Sequence, residues 1–369
     1  MFHLQRAWLL LQTLAASFRH RPPAAAKNIL VLTTGKLGDL VCLTSVFGAV
    51  GRQLRTTVDV VANRFGPELF TGNPSIGTVW VLNTTSPSAL AARQYSHAVM
   101  LNPNPELVAL AVRAGIPHRI GISTPRENFW TRIFERFLRE RYVYGYDQQQ
   151  VPEFSQRLFA TLGVQPEPER RELFPSDADR RNAASFWQQH ALDGQTVVAI
   201  CLGAGKAYKL WPVERFAEVA DHLIEHYRAK ILLVGSGGDK ERSAAMAAAV
   251  IHREAVVDAT GQFKLLELAA VVQPCKLFIA ADTGPLHVAD TMKVPVVDIA
   301  GPADCVTQHP IYRYKILHPQ GKEQYGEMAV AFHSGSEHEE RYAKMAGAVT
   351  VQQVTDAIGQ LIGDGERRK

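Results

Sequence analysis

The stretch KNILVLTTGKLGDLVCLTSVFGAVGRQL, Lys27–Leu54, decides the fold. Lys27–Thr34 is an apolar run ending in small polar residues, the pattern of a parallel strand covered on both faces. Gly35-Lys36-Leu37-Gly38 reads as a loop, and an apolar helical stretch runs from Asp39 to about Leu54. Outward from this unit, Val58–Ala62, Val79–Leu82 and His97–Leu101 read as further short strands separated by helical or turn segments. Strands alternating with helices predict an α/β fold with a doubly wound parallel sheet.

The alternation resumes after Gln165–Pro175 (QPEPERRELFP), a charged, proline-punctuated stretch that reads as an interdomain linker. Strands are expected at Thr196–Cys201, Lys230–Val234, Lys276–Ala281 and Pro295–Ile299. Helices are expected from about Val213, through Ala249, over Leu265–Val272 and over about Val351–Ile362. The expected layout is an N-terminal helix over 1–26, Rossmann-like domains over 27–172 and 173–345, and a C-terminal helix within 346–369 placed to brace the first domain. Two such halves predict a cleft between the carboxyl ends of the two sheets.

At 369 residues the chain has room for two ordinary domains, and 46% hydrophobic with 21% charged residues gives each a core. A net charge of +4 is too weak for a nucleic-acid binder. Cys42, Cys201, Cys275 and Cys305 show neither CxxC nor Cys/His metal spacing, so buried free thiols and a reducing compartment are expected. No apolar stretch reaches the roughly 20 residues of a membrane-spanning helix.

Two segments are unusual in charge. Residues 1–27 hold Arg6, Arg19, Arg21 and Lys27 and no acid. On a helical wheel Leu4, Ala7, Trp8, Leu11, Leu14, Ala15 and Phe18 share one side, and Gln5, Arg6, Gln12, Thr13 and Ser17 the other, with Leu9 the exception. Such a helix suits a membrane interface, with Trp8 and Phe18 as anchors, or a place on the protein's own core. Between Arg113 and Arg141 lie seven arginines against three glutamates, with aromatic residues interleaved. That pattern fits a solvated helix or a surface for an anionic partner.

Chemistry concentrates at strand-to-helix turns. Gly203-Ala204-Gly205, Gly235-Ser236-Gly237-Gly238 and Thr283-Gly284 each follow an apolar strand, where exposed N–H groups suit a diphosphate. In Asp282-Thr283-Gly284-Pro285-Leu286-His287, Pro285 suits a first helical turn and His287 is expected to face the same mouth. Lys209, just before Trp211-Pro212, is either solvated or set to neutralise a phosphate. Asp39, after Gly38, is either a helix cap or a general base; the residue types leave both open.

Ile29–Val50, Gly203–Leu223 with its KxWPxERF core, Ile231–Glu241 and Phe278–Pro302 stand in the order and spacing of glycosyltransferase family nine, and the chain resembles its lipopolysaccharide heptosyltransferases. The N-terminal helix precedes that family's usual start. The resemblance implies a GT-B fold and an inverting, metal-independent sugar transfer, with heptose from ADP-heptose passing to a lipopolysaccharide-core or related hydroxyl. Other readings are a different nucleotide sugar, or a glycan-binding protein without catalysis.

By the same resemblance Asp39 is the base and Lys209 the donor-phosphate lysine. Gly38, Gly203, Ala204, Gly205, Gly235, Asp282, Thr283, Gly284, Pro285 and His287 hold the donor, with Asp239 or Glu241 at its ribose. Lys36, Arg119 and Arg126 are assigned to an anionic glycolipid or oligosaccharide acceptor. No cofactor, metal or nucleic acid is expected. The implied location is cytoplasmic, on the inner face of a membrane touched by residues 3–18. A Rossmann oxidoreductase is disfavoured, because the first turn reads Thr34-Gly35-Lys36-Leu37-Gly38-Asp39 and lacks GxGxxG.

Overall fold

The structure, a computed structural model, describes residues 2–17, 28–124, 128–145, 150–325 and 338–366. It divides into two compact units, Met1–Arg171 and Glu172–Lys369, and the division falls inside the expected linker.

In the first unit the strands are β1 (Ile29–Leu32), β2 (Val58–Ala62), β3 (Ile76–Val81), β4 (His97–Met100), β5 (His118–Ser123) and β6 (Glu140–Val143). Its helices are α1 (Phe2–Ser17), α2 (Leu37–Leu54), α3 (Gly66–Leu69), α4 (Pro87–Ala92), α5 (Pro105–Arg113), α6 (Phe129–Phe134) and α7 (Val151–Arg157). The sheet order is β3-β2-β1-β4-β5-β6, and the ladders between these strands are parallel. Central β1 is buried throughout, which is why it reads as a continuous apolar run. Local signals set the helix starts: Asn104 accepts from the Glu106 and Leu107 N–H groups and Pro105 follows it, opening α5.

The arginine-rich region is not one solvated helix. Arg113–Arg141 supplies interior strand β5, short α6 and the start of edge strand β6. Residues alternate half-buried and exposed along β6, so its charges suit a sheet edge and hide its strand character.

In the second unit the strands are β7 (Val197–Cys201), β8 (Lys230–Val234), β9 (Val256–Asp258), β10 (Leu277–Ala281), β11 (Val296–Ile299) and β12 (Tyr314–Ile316). Its helices are α8 (Asp177–Gln189), α9 (Val213–Tyr227), α10 (Lys240–Ala249), α11 (Leu265–Val272), α12 (Gly284–Thr291), α13 (Glu339–Ala348) and α14 (Val351–Glu366). The order β12-β11-β10-β7-β8-β9 repeats the plan of the first sheet, again with parallel ladders. Val354, Ala357, Ile358, Leu361 and Ile362 of α14 belong to the core that holds Val198, Phe216 and Ile231 of this second unit.

The cysteines are free, with Cys42, Cys201 and Cys275 buried. Burial pushes the Cys201 thiol up to about 12, so it stays neutral and acts as a small apolar side chain.

Candidate functional site

In each sheet the strand order reverses once, between β1 and β4 in the first unit and between β7 and β10 in the second. Such a switch point opens a crevice at the carboxyl ends of the strands. Side chains bridge both of them.

In the first unit the bridge is neutral. Thr33 Oγ1 donates to Asn102 Oδ1 at 2.7 Å, and the Thr34 N–H donates to the same oxygen at 2.8 Å. Asn63, beyond β2, donates its amide to the Gly35 carbonyl and holds the loop from the other side. Asn63 and Asn102 are absent from the sequence expectations, since polar residues after a strand look like ordinary turn formers. The loop delivers Lys36, exposed, and half-buried Gly38 to the start of α2. Asp39 is the third residue of that helix, and its Oδ2 accepts from the Lys36 N–H at 2.6 Å. Gly35 is required beneath it, because a Cβ there would lie 2.7 Å from the Asp39 Cβ. The cap is therefore real, and it also fixes a carboxylate at a positive helix end beside a switch point.

In the second unit the bridge is charged. After β7 and the Gly203–Gly205 turn, a 3-10 turn over Ala207–Lys209 presents Lys209, whose ammonium pairs directly with Asp282 Oδ2 at the end of β10. The turn is anchored by Tyr208, which is buried against Tyr342 and Met345 of α13. Burial opposes the charge on Lys209, but the Asp282 carboxylate outweighs it and holds the ammonium above its usual pKa range. Burial likewise opposes ionisation of Asp282. Lys209, then His287, overcomes it, and the carboxyl sits below its usual range. The pair is ionised at neutral pH.

Thr283 and Gly284 follow, in extended backbone and at the first position of α12, with Pro285 next. No side chain caps α12 among the described residues. Pro285 has no N–H and the Leu286 N–H donates to the Thr283 carbonyl at 3.2 Å, which leaves the Thr283 and Gly284 N–H groups at the helix start beside the Lys209–Asp282 pair. Of the KxWPxERF residues only the lysine serves this site. Trp211 and Phe216 are wholly buried, and the Trp211 Nε1 and Arg215 Nη1 groups donate to the Val349 carbonyl at 2.9 and 2.8 Å.

The glycine turns differ from the expectation in one respect. Gly203-Ala204-Gly205 opens onto the 3-10 turn rather than straight onto α9, and Gly235 leads to another 3-10 turn, Gly237–Asp239, before α10. Asp239 links these two loops. Its Oδ2 accepts from the Ser236 N–H at 2.8 Å and hydroxyl at 2.7 Å, and a Cβ on Gly203 would lie 2.3 Å from its Oδ1. Any side chain at position 203 must displace that carboxylate. Glu241, the other candidate for the ribose, is exposed on the first turn of α10.

Other candidates are placed elsewhere. His287 is 2% exposed, with its Nε2 3.2 Å from Gln308 Nε2, and its charge acts on Asp282 from within the fold. Arg119 is corrected from acceptor contact to structural tie: its guanidinium donates to the carbonyls of Ile116, Pro117 and Phe137, and burial lowers its pKa. Arg126 lies outside the described residues.

Asp298 is a residue the sequence reading passed over, although an acid inside Pro295–Ile299 was the available signal. It is 1% exposed on β11, and its Oδ1 has no hydrogen-bond partner among the described residues. Burial first, then the negative charge of Asp282, pushes its carboxyl well above the usual range, against the pull of Lys209. The folded protein thus keeps a proton that the unfolded chain releases above about pH 4. Stability contributed by that proton is full below pH 4 and declines as pH rises toward the folded value. Asp298→Asn, which cannot ionise, is expected to flatten the fall of the urea midpoint above pH 4 and to gain on wild type as pH increases. Parallel curves for the two proteins would remove the buried proton from the account.

A paired lysine and aspartate beside an open helix start lie at the switch point of a Rossmann-like unit, the crevice where ligands bind in open α/β sheets. The model of glycosyltransferase family 9 (heptosyltransferase) matches residues 87–327, and the chain belongs to that family. It is a glycosyltransferase, built on the two-domain GT-B plan. It is 24% identical over 294 residues to lipopolysaccharide heptosyltransferase 3 of Escherichia coli, covering 74% of this chain and 83% of the relative. Among solved structures, a family 9 glycosyltransferase from Veillonella parvula superposes with a TM-score of 0.75 at 21% identity, covering 91% of this chain and 97% of the other. The ADP-heptose LPS heptosyltransferase II of E. coli gives 0.73 at 20% identity, covering 92% and 99%.

Proposed function

We propose that the chain moves heptose from ADP-heptose to a hydroxyl of a lipopolysaccharide-core or related glycan, with inversion and without a metal ion. The two E. coli relatives named above are heptosyltransferases of lipopolysaccharide, which supports a nucleotide-sugar donor and a glycan acceptor. The observation that carries the reading is the Lys209–Asp282 pair beside the uncapped start of α12. Asp39 takes the proton of the acceptor hydroxyl while its oxygen attacks the anomeric carbon. The bond from that carbon to the diphosphate breaks in the same step, and the nucleoside diphosphate leaves with the electron pair. Charge builds on the departing diphosphate, where Lys209 and the N–H groups of Thr283 and Gly284 stabilise it. Lys36 and the basic residues of the first unit suit an anionic, lipid-linked acceptor on the inner face of a membrane.

The test is calorimetric titration with ADP, GDP, UDP and dTDP, followed by turnover of ADP-heptose with and without EDTA. Selective ADP binding and EDTA-insensitive release of ADP are expected. Preference for another nucleotide would change the donor, loss of turnover in EDTA would restore a metal, and binding without turnover would favour a glycan-binding role.

A further inference from the structure

Helix α1 is packed with its apolar side outward. The side that faces the protein holds Leu9, Leu10 and Ala16, which pack on the core cluster containing Leu107 and Ala111 of α5, and Thr13, which is 0% exposed. Thr13 donates its hydroxyl to the Leu9 carbonyl at 2.7 Å, which allows a polar residue to turn inward. Arg6 turns the same way and pairs with Glu106 at 3.1 Å. Leu4, Trp8, Leu11 and Leu14 are left 77%, 64%, 58% and 40% exposed. A helix serving only its own core buries such a stripe. One face thus packs on the protein's own core, and the more apolar one is without a partner among the described residues.

A second element extends the stripe. Trp130 of α6 donates its Nε1–H to His3 Nδ1 at 3.0 Å, which sets α6 against the start of α1. Its neighbour Phe129 is 69% exposed. Arg132 and Arg136 on the same segment are exposed, whereas Glu135 between them is buried. Residues 1–27 contain no acid. Arg132 and Arg136 thus place positive charge on the segment that adjoins the apolar face, and the nearby Glu106 carboxylate is paired with Arg6.

We infer that this face, Leu4, Trp8, Leu11 and Leu14 with Phe129, docks the first unit on an anionic lipid surface. An apolar stripe with an aromatic residue, flanked by Arg132 and Arg136, matches the acyl boundary and the charged headgroups of such a surface together. Docking gives the proposed lipid-linked acceptor a reason to be met there and so rests on that reading for its purpose, but its test needs neither donor nor acceptor.

The full-length protein is sedimented with vesicles of phosphatidylglycerol and phosphatidylcholine, and with phosphatidylcholine alone. Strong binding to the mixed vesicles is expected, weakened by added salt and at least tenfold weaker for Trp8→Gln/Leu11→Gln, with Phe129→Gln losing less. These side chains are exposed, so unchanged thermal melts should accompany the loss. Failure of wild type to bind, equal binding of wild type and the double variant, or equal binding to both vesicle types overturns the inference. So does self-association without vesicles that the double variant abolishes, which would assign the face to a second copy.

Discussion

Lys209→Ala should lower kcat about 100- to 1,000-fold, some 3–4 kcal/mol of barrier, as expected when one fixed donor to developing charge is removed. If the lysine acts on the departing diphosphate, kcat and kcat/KM fall together, because the interaction strengthens only in the transition state. A raised KM with unchanged kcat would instead make it a ground-state contact. The variant has a second effect: it leaves Asp282 as a half-buried carboxylate without its ammonium partner. Breaking such a pair costs stability, up to about 3 kcal/mol at this partial exposure. Lys209→Ala/Asp282→Asn separates the two effects. The double variant should recover much of the thermal stability and none of the rate. Recovery of both would mean that Lys209 only holds Asp282 in place.

Asp39→Asn should cost about 100- to 10,000-fold in kcat, the range for loss of a positioned general base. The substitution is chosen because Asp39 is also a cap. An asparagine oxygen can still accept from the Lys36 N–H, where the carboxylate now lies at 2.6 Å, so α2 should start where it does at present. Asp39→Ala removes cap and base together and should lose about 1 kcal/mol of stability as well. The two roles that the sequence left open thus make opposite forecasts. Near wild-type turnover in Asp39→Asn would sink the base and leave a helix cap, whereas an inactive, fully stable variant would establish it. Both assays use initial rates over a range of donor concentrations up to saturation.

How much of this was legible beforehand follows from burial. Strands β1, β7 and β10 are buried throughout and are unbroken apolar runs, and β2 and β8 depart from that only at Asp59 and Lys230, so their sequence positions are plain. Edge strand β6 alternates half-buried and exposed residues, and the arginines of β5 and β6 disguise both strands as part of a helix. At the site, residues at the ends of β7 and β10 were found because small residues after an apolar run are a local pattern. Asn63, Asn102 and Asp298 were not, since each acts through a partner far along the chain or through a charge set by the fold. The burial of His287 was hidden for a related reason: position in a first helical turn does not say which way the side chain points. For α1 the wheel divided the faces correctly, but no periodicity states which of them meets the protein.

The pairing of Lys209 with Asp282 has a further bearing on turnover. An isolated ammonium at that switch point would grip a free nucleoside diphosphate after transfer as firmly as during it. Sharing its charge with Asp282 makes the site nearly neutral before the donor enters and returns it to neutrality as the spent nucleotide departs. Release is then eased by a competitor built into β10, and a tighter-binding product, not only a slower reaction, is what removing that competitor would leave.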